Sequence, residues 1–428
     1  MASDPRSPAD PVGSAARDDR APSSHPSAAP QAGGPLTGVR VLELGSFVAG
    51  PFAGQLLGDY GADVIKVEPP GAGDRMRTWG HVHDGEGLWW PTISRNKRSV
   101  AVDLRQPEGA ALVRRLAREC DAIVENFRPG QLESWGLGYD VLSEDNPGLV
   151  MVHVSGYGRT GPRAGEAGFG SIAEAMGGIR HTTGEAGRPS SRSGISLGDA
   201  IGSLFAVIGL VSSLVERGRS GHGQEVDVAL YEAVAALMES SFAEYEVEGV
   251  TRGRTGGVLP GVAPSNGYPT KDGAEVLIAG NADTVFRRLC EAMGEPELVD
   301  DERYATHEAR GRHADELDAR IAEWTSASPT DQLLEVLTDH GVPAGRIYTA
   351  ADAVHDPHFL AREMVLHRTA TTGRSIPMTG VVPKFGRTPG TVRHAGPTLG
   401  AHTDDVIGEL AGLEADELAA LRERRVIE

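Results

Sequence analysis

Asp199 is the one acid in the stretch SGISLGDAIGSLFAVIGL, residues Ser193 to Leu210. An acid so placed has two uses. It can cap a helix, accepting hydrogen bonds from amides that have no intrahelical partner. Held out of bulk water, it can instead attack an activated acyl carbon as a nucleophile. Ile201, Leu204, Phe205, Ile208, Val211 and Val215 recur at helical spacing. That puts Asp199 at or near the N-cap, where the helix dipole favours its charge. Read locally, the pattern is that of a cap, and it leaves the nucleophile open.

Three other segments carry chemistry. In GSFVAGPFAG, glycines 45, 50 and 54 are spaced by five and four, so the G-x-G-x-x-G dinucleotide fingerprint fails. Glu68 would be the ribose-binding acid if that fingerprint held. The loop can still offer backbone N–H groups to a phosphate at a helix start. RNKRSVAVDLR gathers Arg95, Lys97, Arg98 and Arg105 within a short span of an acidic chain. It reads equally as an anion site or as a solvated surface run. VENFRPG ends a strand on Asn126 and Phe127, the end at which α/β sheets bind ligands. His81, His83, His153, His181 and His222 form no ligand set, and no metal or permanently bound cofactor is expected.

The elements that must position these residues follow from the pattern. VRVLEL, the helical stretch from Pro51 to Leu57 and ADVIKVE make a strand–loop–helix–strand unit, and the theme repeats through DAIVENF and GLVMVHV. Such alternation predicts a Rossmann-like, doubly wound parallel sheet of the α/β class. The expected organisation is a tail over 1–35, a large domain over 36–229, a smaller α+β domain over 230–335 and a segment over 336–428 returning to the large domain. The tail is rich in Pro, Ala, Ser and Asp, lacks an apolar signal-peptide core and is expected to be disordered. The 428 residues carry a formal charge of −19, which argues against non-specific nucleic-acid binding. The longest apolar run, Ile201–Val215, is interrupted by Gly209 and by Ser212 and Ser213, so no membrane span is expected. Two distant cysteines, Cys120 and Cys290, fit neither a zinc site nor a disulfide framework, and a cytoplasmic location is expected.

Taken in order, GVRVLELGSFVAGPFAGQLLGDYGADVIKVEPP, NKRSVAVDL, VENFRPG, GYGRTGP, GISLGDAIGSLFAVIGL, GHGQEVDVALYEAV, GVPAGRI and LGAHTDDVI resemble the class III CoA-transferases, the family of formyl-CoA transferase, CaiB and BaiF. The resemblance runs from about residue 36 to 425. It implies that Asp199 is the nucleophile. It also implies that Phe47, Val48, Ala49, Arg105, Asn126, Phe127, Gly168 and Phe169 contact CoA, and that Gly256 and Gly257 form a mobile loop over the intermediate. CoA and acyl-CoA are then substrates, and the implied assembly is an interlocked homodimer. Three departures are visible. Val48 stands where formyl-CoA transferase has glutamine, Pro69 replaces a basic residue, and Phe169 stands where the racemase branch has histidine.

By the same resemblance, Asp199 attacks an acyl-CoA to give a mixed anhydride and then an aspartyl-CoA thioester. Amides around Ala200 and the Gly256–Gly257 loop are the expected oxyanion donors. AEAMGGIRHTTGE, RTGGVLPGVAPSNGYPTKDG and MESSFAEY resemble the branch that uses succinyl-CoA with malate or citramalate. Arg180, Arg192, Arg252 and Arg254 are candidates to hold a second carboxylate. The alternatives are an acyl-CoA racemase or isomerase, disfavoured by Phe169, and a non-catalytic subunit of a heteromeric transferase, disfavoured by the presence of Asp199.

Overall fold

The computed structural model describes residues 33–428 except Asp84; the expected tail, as far as residue 32, lies outside the described residues. Six parallel strands form the central sheet: β1 (Arg40–Glu43), β2 (Asp63–Glu68), β3 (Lys97–Ala101), β4 (Ala122–Glu125), β5 (Val150–Ser155) and β6 (Glu225–Ala229). Their order is β3-β2-β1-β4-β5-β6. This is the doubly wound arrangement expected, and the strand order reverses between β1 and β4.

Alternation along each strand feeds two cores. Leu42, Ile65, Val100, Ile123 and Met151 point to one face. They pack there with Leu112, Val113 and Leu116 of helix α2 (Pro107–Arg118) and with Val406, Leu421 and Ile427 near the C-terminus. Val41, Val64, Val124 and Val152 point to the other face, against α1 (Ala49–Asp59) and α4 (Leu197–Ser220). Between these two, α3 (Gly170–Met176) precedes α4 in the chain, and α5 (Leu230–Ala235) follows β6. Leu230 joins the second core, and Val234 packs on Ile201.

A third core lies between Tyr268 and Val342. Strands β7 (Ser265–Pro269), β8 (Glu275–Ala279) and β9 (Ala344–Arg346) form an antiparallel sheet there, with β8 in the middle. Helices α6 (Asp283–Met293), α7 (Ala314–Ser326) and α8 (Thr330–Asp339) contribute Phe286, Leu289, Ile321 and Leu333 to its core.

Helix α4 differs from the sequence reading. It runs unbroken through Gly209, Ser212 and Ser213 for 24 residues, long and apolar enough by length and composition to cross a bilayer. The serines are tolerated because the helix is tertiary in origin. Ala206, Val207 and Leu210 are buried against the sheet, Ile201 is buried against α5, and buried Ser213 accepts a hydrogen bond from Gln224. It is a core helix of the sheet layer.

Candidate active site at the strand switch point

The loop after β1 enters the crevice between β1 and β4. Asn126, just past β4, holds it with both ends of its amide: Oδ1 accepts from Ser46 N–H at 2.8 Å and Nδ2 donates to Ser46 C=O at 2.8 Å. A Cβ at Gly45 would lie 2.7 Å from Asn126 Oδ1, and one at Gly50 would lie 3.2 Å from it. The glycine spacing therefore fits an asparagine clamp rather than a dinucleotide. Phe47 follows in the left-handed region at φ 63°, uncommon for a residue with a side chain. Its N–H donates to Asp74 Oδ1 at 3.1 Å.

A buried charge network underlies this loop. Lys66 donates to Glu43 at 2.8 Å and to Gly45 C=O at 2.9 Å, and pairs with Asp74 at 2.8 Å. Lys97 pairs with the other Glu43 oxygen at 2.7 Å and donates to Pro51 C=O at 2.7 Å. Burial alone would lower the Lys66 pKa, but Asp74, Glu43 and Glu68 outweigh it and hold the ammonium above its usual range. Lys97 shares one carboxylate and is repelled by Lys66, so burial prevails and brings it down to about 8.

Asp199 lies in the first turn of α4, three residues beyond the N-cap residue Ser196, and so is not the cap. Among the described residues, none donates a hydrogen bond to its carboxylate. It faces a cavity of about 630 Å³ whose wall includes Phe47, Val48, Ala49, Asn126, Phe127, Gly168, Phe169 and Arg192. Burial, and then the charge of Glu174, push its pKa up to about 6, with Arg192 opposing. Glu174 is buried on α3, pairs with Arg180 at 3.3 Å and accepts from Gly198 N–H at 3.2 Å. Gly170 closes the contact: a Cβ there would stand 2.5 Å from Asp199 Oδ2. Only glycine lets α3 approach the carboxylate this closely.

An adjoining cavity of about 200 Å³ shares Ser46, Phe47 and Phe127 with the first and extends to Pro69, Arg75 and Arg105. Arg75 lies 5.6 Å from the centre of the Phe47 ring, and Trp79 meets the same ring edge-on at 5.7 Å. Arg75, six residues beyond the Pro69 that replaces a base, is a cation in this wall that the sequence did not single out, as is the buried Lys66.

The other residues singled out in the sequence are placed as follows. Gly256 and Gly257 do not line the Asp199 cavity; Gly256 donates its N–H to Gly184 C=O at 2.9 Å and stands against Glu185. Ala200 N–H is committed to Ser196 C=O at 3.0 Å, and so does not offer itself to an oxyanion. Of the basic run, Arg95 is buried on Asp59, Lys97 on Glu43, and Arg98 binds Asp63 and Glu409. Arg105 reaches the smaller cavity but is gripped by Asp103 through Nε at 2.8 Å and Nη2 at 2.9 Å. Glu68 is not free for a ribose, because Arg77 binds both its oxygens at 2.8 Å and Ser99 donates to it at 2.6 Å. Asn126 lines the site, yet its amide is engaged by the Ser46 backbone.

The chain matches known proteins along most of its length. The sequence model of CoA-transferase family III matches residues 36–403. A succinyl-CoA–D-citramalate CoA-transferase of Chloroflexus aurantiacus is 55% identical over 394 residues, 92% of this chain and 98% of that protein. The alpha subunit of a succinyl-CoA–L-malate CoA-transferase from Chloroflexus aurantiacus is 39% identical over 417 residues, 96% of this chain and 97% of that subunit. The crystal structure of a CaiB/BaiF family protein from Brucella suis superposes with a TM-score of 0.79 at 37% identity, covering 88% of this chain and 100% of that one. A doubly wound sheet with an acid-floored crevice at its switch point and a match along most of the chain lead to one conclusion: this chain belongs to CoA-transferase family III, and is an enzyme of that class.

Proposed function

We propose that the enzyme moves CoA from succinyl-CoA to a dicarboxylic acid of the citramalate or malate type, with Asp199 as nucleophile. The observation that carries this reading is the Asp199 carboxylate itself: partly buried, accepting no hydrogen bond from a described residue, and facing a cavity at the strand switch point. A carboxylate is a poor nucleophile in water; desolvation and positioning remove much of that handicap. A pKa near 6 leaves it ionised at neutral pH.

An Asp199 oxygen attacks the thioester carbonyl, the C–S bond breaks, and CoA leaves as thiolate. The thiolate attacks the aspartyl carbonyl of the mixed anhydride and expels the donor acid as carboxylate. The acceptor carboxylate then attacks the aspartyl-CoA thioester, giving a second anhydride and thiolate. Attack of that thiolate on the acceptor carbonyl releases the new acyl-CoA and restores Asp199. The smaller cavity, with Arg75 in its wall, suits the anionic nucleotide end of CoA, and the shared residue Phe47 sits where the pantetheine arm would pass.

The names of the relatives from Chloroflexus aurantiacus support the choice of donor and acceptor class. Exposed Leu204, Ile208 and Val215 on α4, together with Phe242 and Tyr245, support self-association. The test is exchange of CoA between succinyl-CoA and citramalate, malate, glutarate and acetate, followed by chromatography. Exchange with one or more of the dicarboxylates, well above that with acetate, is expected. Absence of exchange with every acid, alone and after co-expression with a homologous subunit, overturns the reading.

A further inference from the structure

The four arginines set apart by the sequence differ sharply in their surroundings. Arg252 is bound by Glu239 at 2.6 Å and by Glu244 at 2.5 Å, and Arg180 pairs with buried Glu174. Arg254 donates to His181 C=O at 3.3 Å, away from the cavity. Arg192 lines the same cavity as Asp199, and among the described residues no acid pairs with it.

A dicarboxylate entering that cavity meets a negative floor. Asp199 and Glu166 are the acids in its wall, the charge of Glu174 acts on Asp199 from behind it, and the lining is mostly apolar. One carboxyl of the substrate reacts, while the other stays ionised. An ionised group held there without a partner is costly, and a guanidinium fork is the side chain best matched to it. Arg128, beside Phe127 after β4, also lines the cavity. Arg192 is the cation whose charge reaches Asp199.

We infer that Arg192 is the specificity residue of this site, binding the unreacted carboxylate of the dicarboxylic acyl group or acid while the other carboxyl is at Asp199. The inference rests on the transferase reading above. Because donor and acceptor acids occupy the same place in turn, one arginine serves both halves of the cycle. Free succinate should then compete with the acceptor through the same residue.

The test compares two four-carbon donors, succinyl-CoA and butyryl-CoA, which differ by the terminal carboxylate. Release of the donor acid, with formation of the aspartyl-CoA enzyme, is followed in a single turnover without acceptor for wild type, Arg192→Ala, Arg192→Gln and Arg192→Lys. Arg192→Ala and Arg192→Gln should lower kcat/KM for succinyl-CoA by roughly tenfold to a hundredfold. Their kcat/KM for butyryl-CoA should fall by far less, whereas a uniform folding defect would lower both alike. Arg192→Lys should recover only part of the preference, since an ammonium keeps the charge but not the fork. A succinyl-to-butyryl ratio unchanged in both neutral variants, in a wild type that exchanges CoA, overturns the assignment of Arg192 alone. A wild type that exchanges CoA with no acid overturns the transferase reading and this inference together.

Discussion

Two groups of charges lie within one crevice and are treated in opposite ways. Beneath the loop after β1, Glu43, Lys66, Asp74 and Lys97 are fully buried and all paired. At the start of α4, Asp199 is partly buried and accepts no hydrogen bond from a described residue. The first group stabilises a fixed shape, because a buried charge is tolerated only with a partner. The second leaves a carboxylate without one, as the proposed nucleophilic role requires. The difference separates scaffold from chemistry more sharply than residue type does, since both groups contain ionisable side chains at the carboxyl edge of one sheet.

The largest effect should come from breaking the unpaired side. Asp199→Asn should lower CoA exchange by roughly 10⁴-fold in steady-state assays, as loss of a covalent nucleophile does. The same variant should not be destabilised. A carboxyl whose folded pKa of about 6 exceeds its ordinary 3.8 binds protons more tightly in the native state. Wild-type stability therefore falls as pH rises from about 4 through about 6 and stays lower above that. Asp199→Asn should thus be more stable than wild type at pH 8, by about 1 kcal/mol after allowing for partial solvent screening, and the gap should close towards pH 4. Denaturant melts at the two pH values check this.

Breaking the paired side should do the reverse. Lys66→Met leaves Glu43 and Asp74 short of a buried cation, and should cost about 3–5 kcal/mol in urea unfolding. Gly170→Ala tests the contact between α3 and the proposed nucleophile. The new methyl displaces the Asp199 carboxylate, and exchange should fall by roughly tenfold to a hundredfold with a small change in Tm. The mildest test is pH: single-turnover kcat/KM should rise with pH through an inflection near 6 as Asp199 ionises. In Arg192→Gln the inflection should move upward, because Arg192 is the charge that opposes the rise.

What could be read from the sequence was what is local. The strand–loop–helix–strand unit from Val39 to Glu68 follows from β-branched runs and a helical stripe, and the doubly wound sheet follows from repeating it. The position of Asp199 in a first helical turn was legible for the same reason. Charge partnership was not. Arg95 and Arg98 looked available because Asp59 lies 36 residues away and Glu409 311 residues away. The grip of Asn126 on the Ser46 backbone was hidden because the two are 80 residues apart. Gly170 carried no signal beyond being a glycine, since its meaning depends on how α3 meets α4. Pairing across the sheet is set by topology, and a linear reading has no access to it until the strands are ordered.

The account turns on a covalent bond at one residue. Incubation with succinyl-CoA, trapping with hydroxylamine or borohydride and peptide mass spectrometry would find it. The account predicts a modification on the peptide containing Asp199 in wild type and none in Asp199→Ala. A trapped adduct on another residue, or CoA exchange that proceeds undiminished in Asp199→Ala, would contradict it.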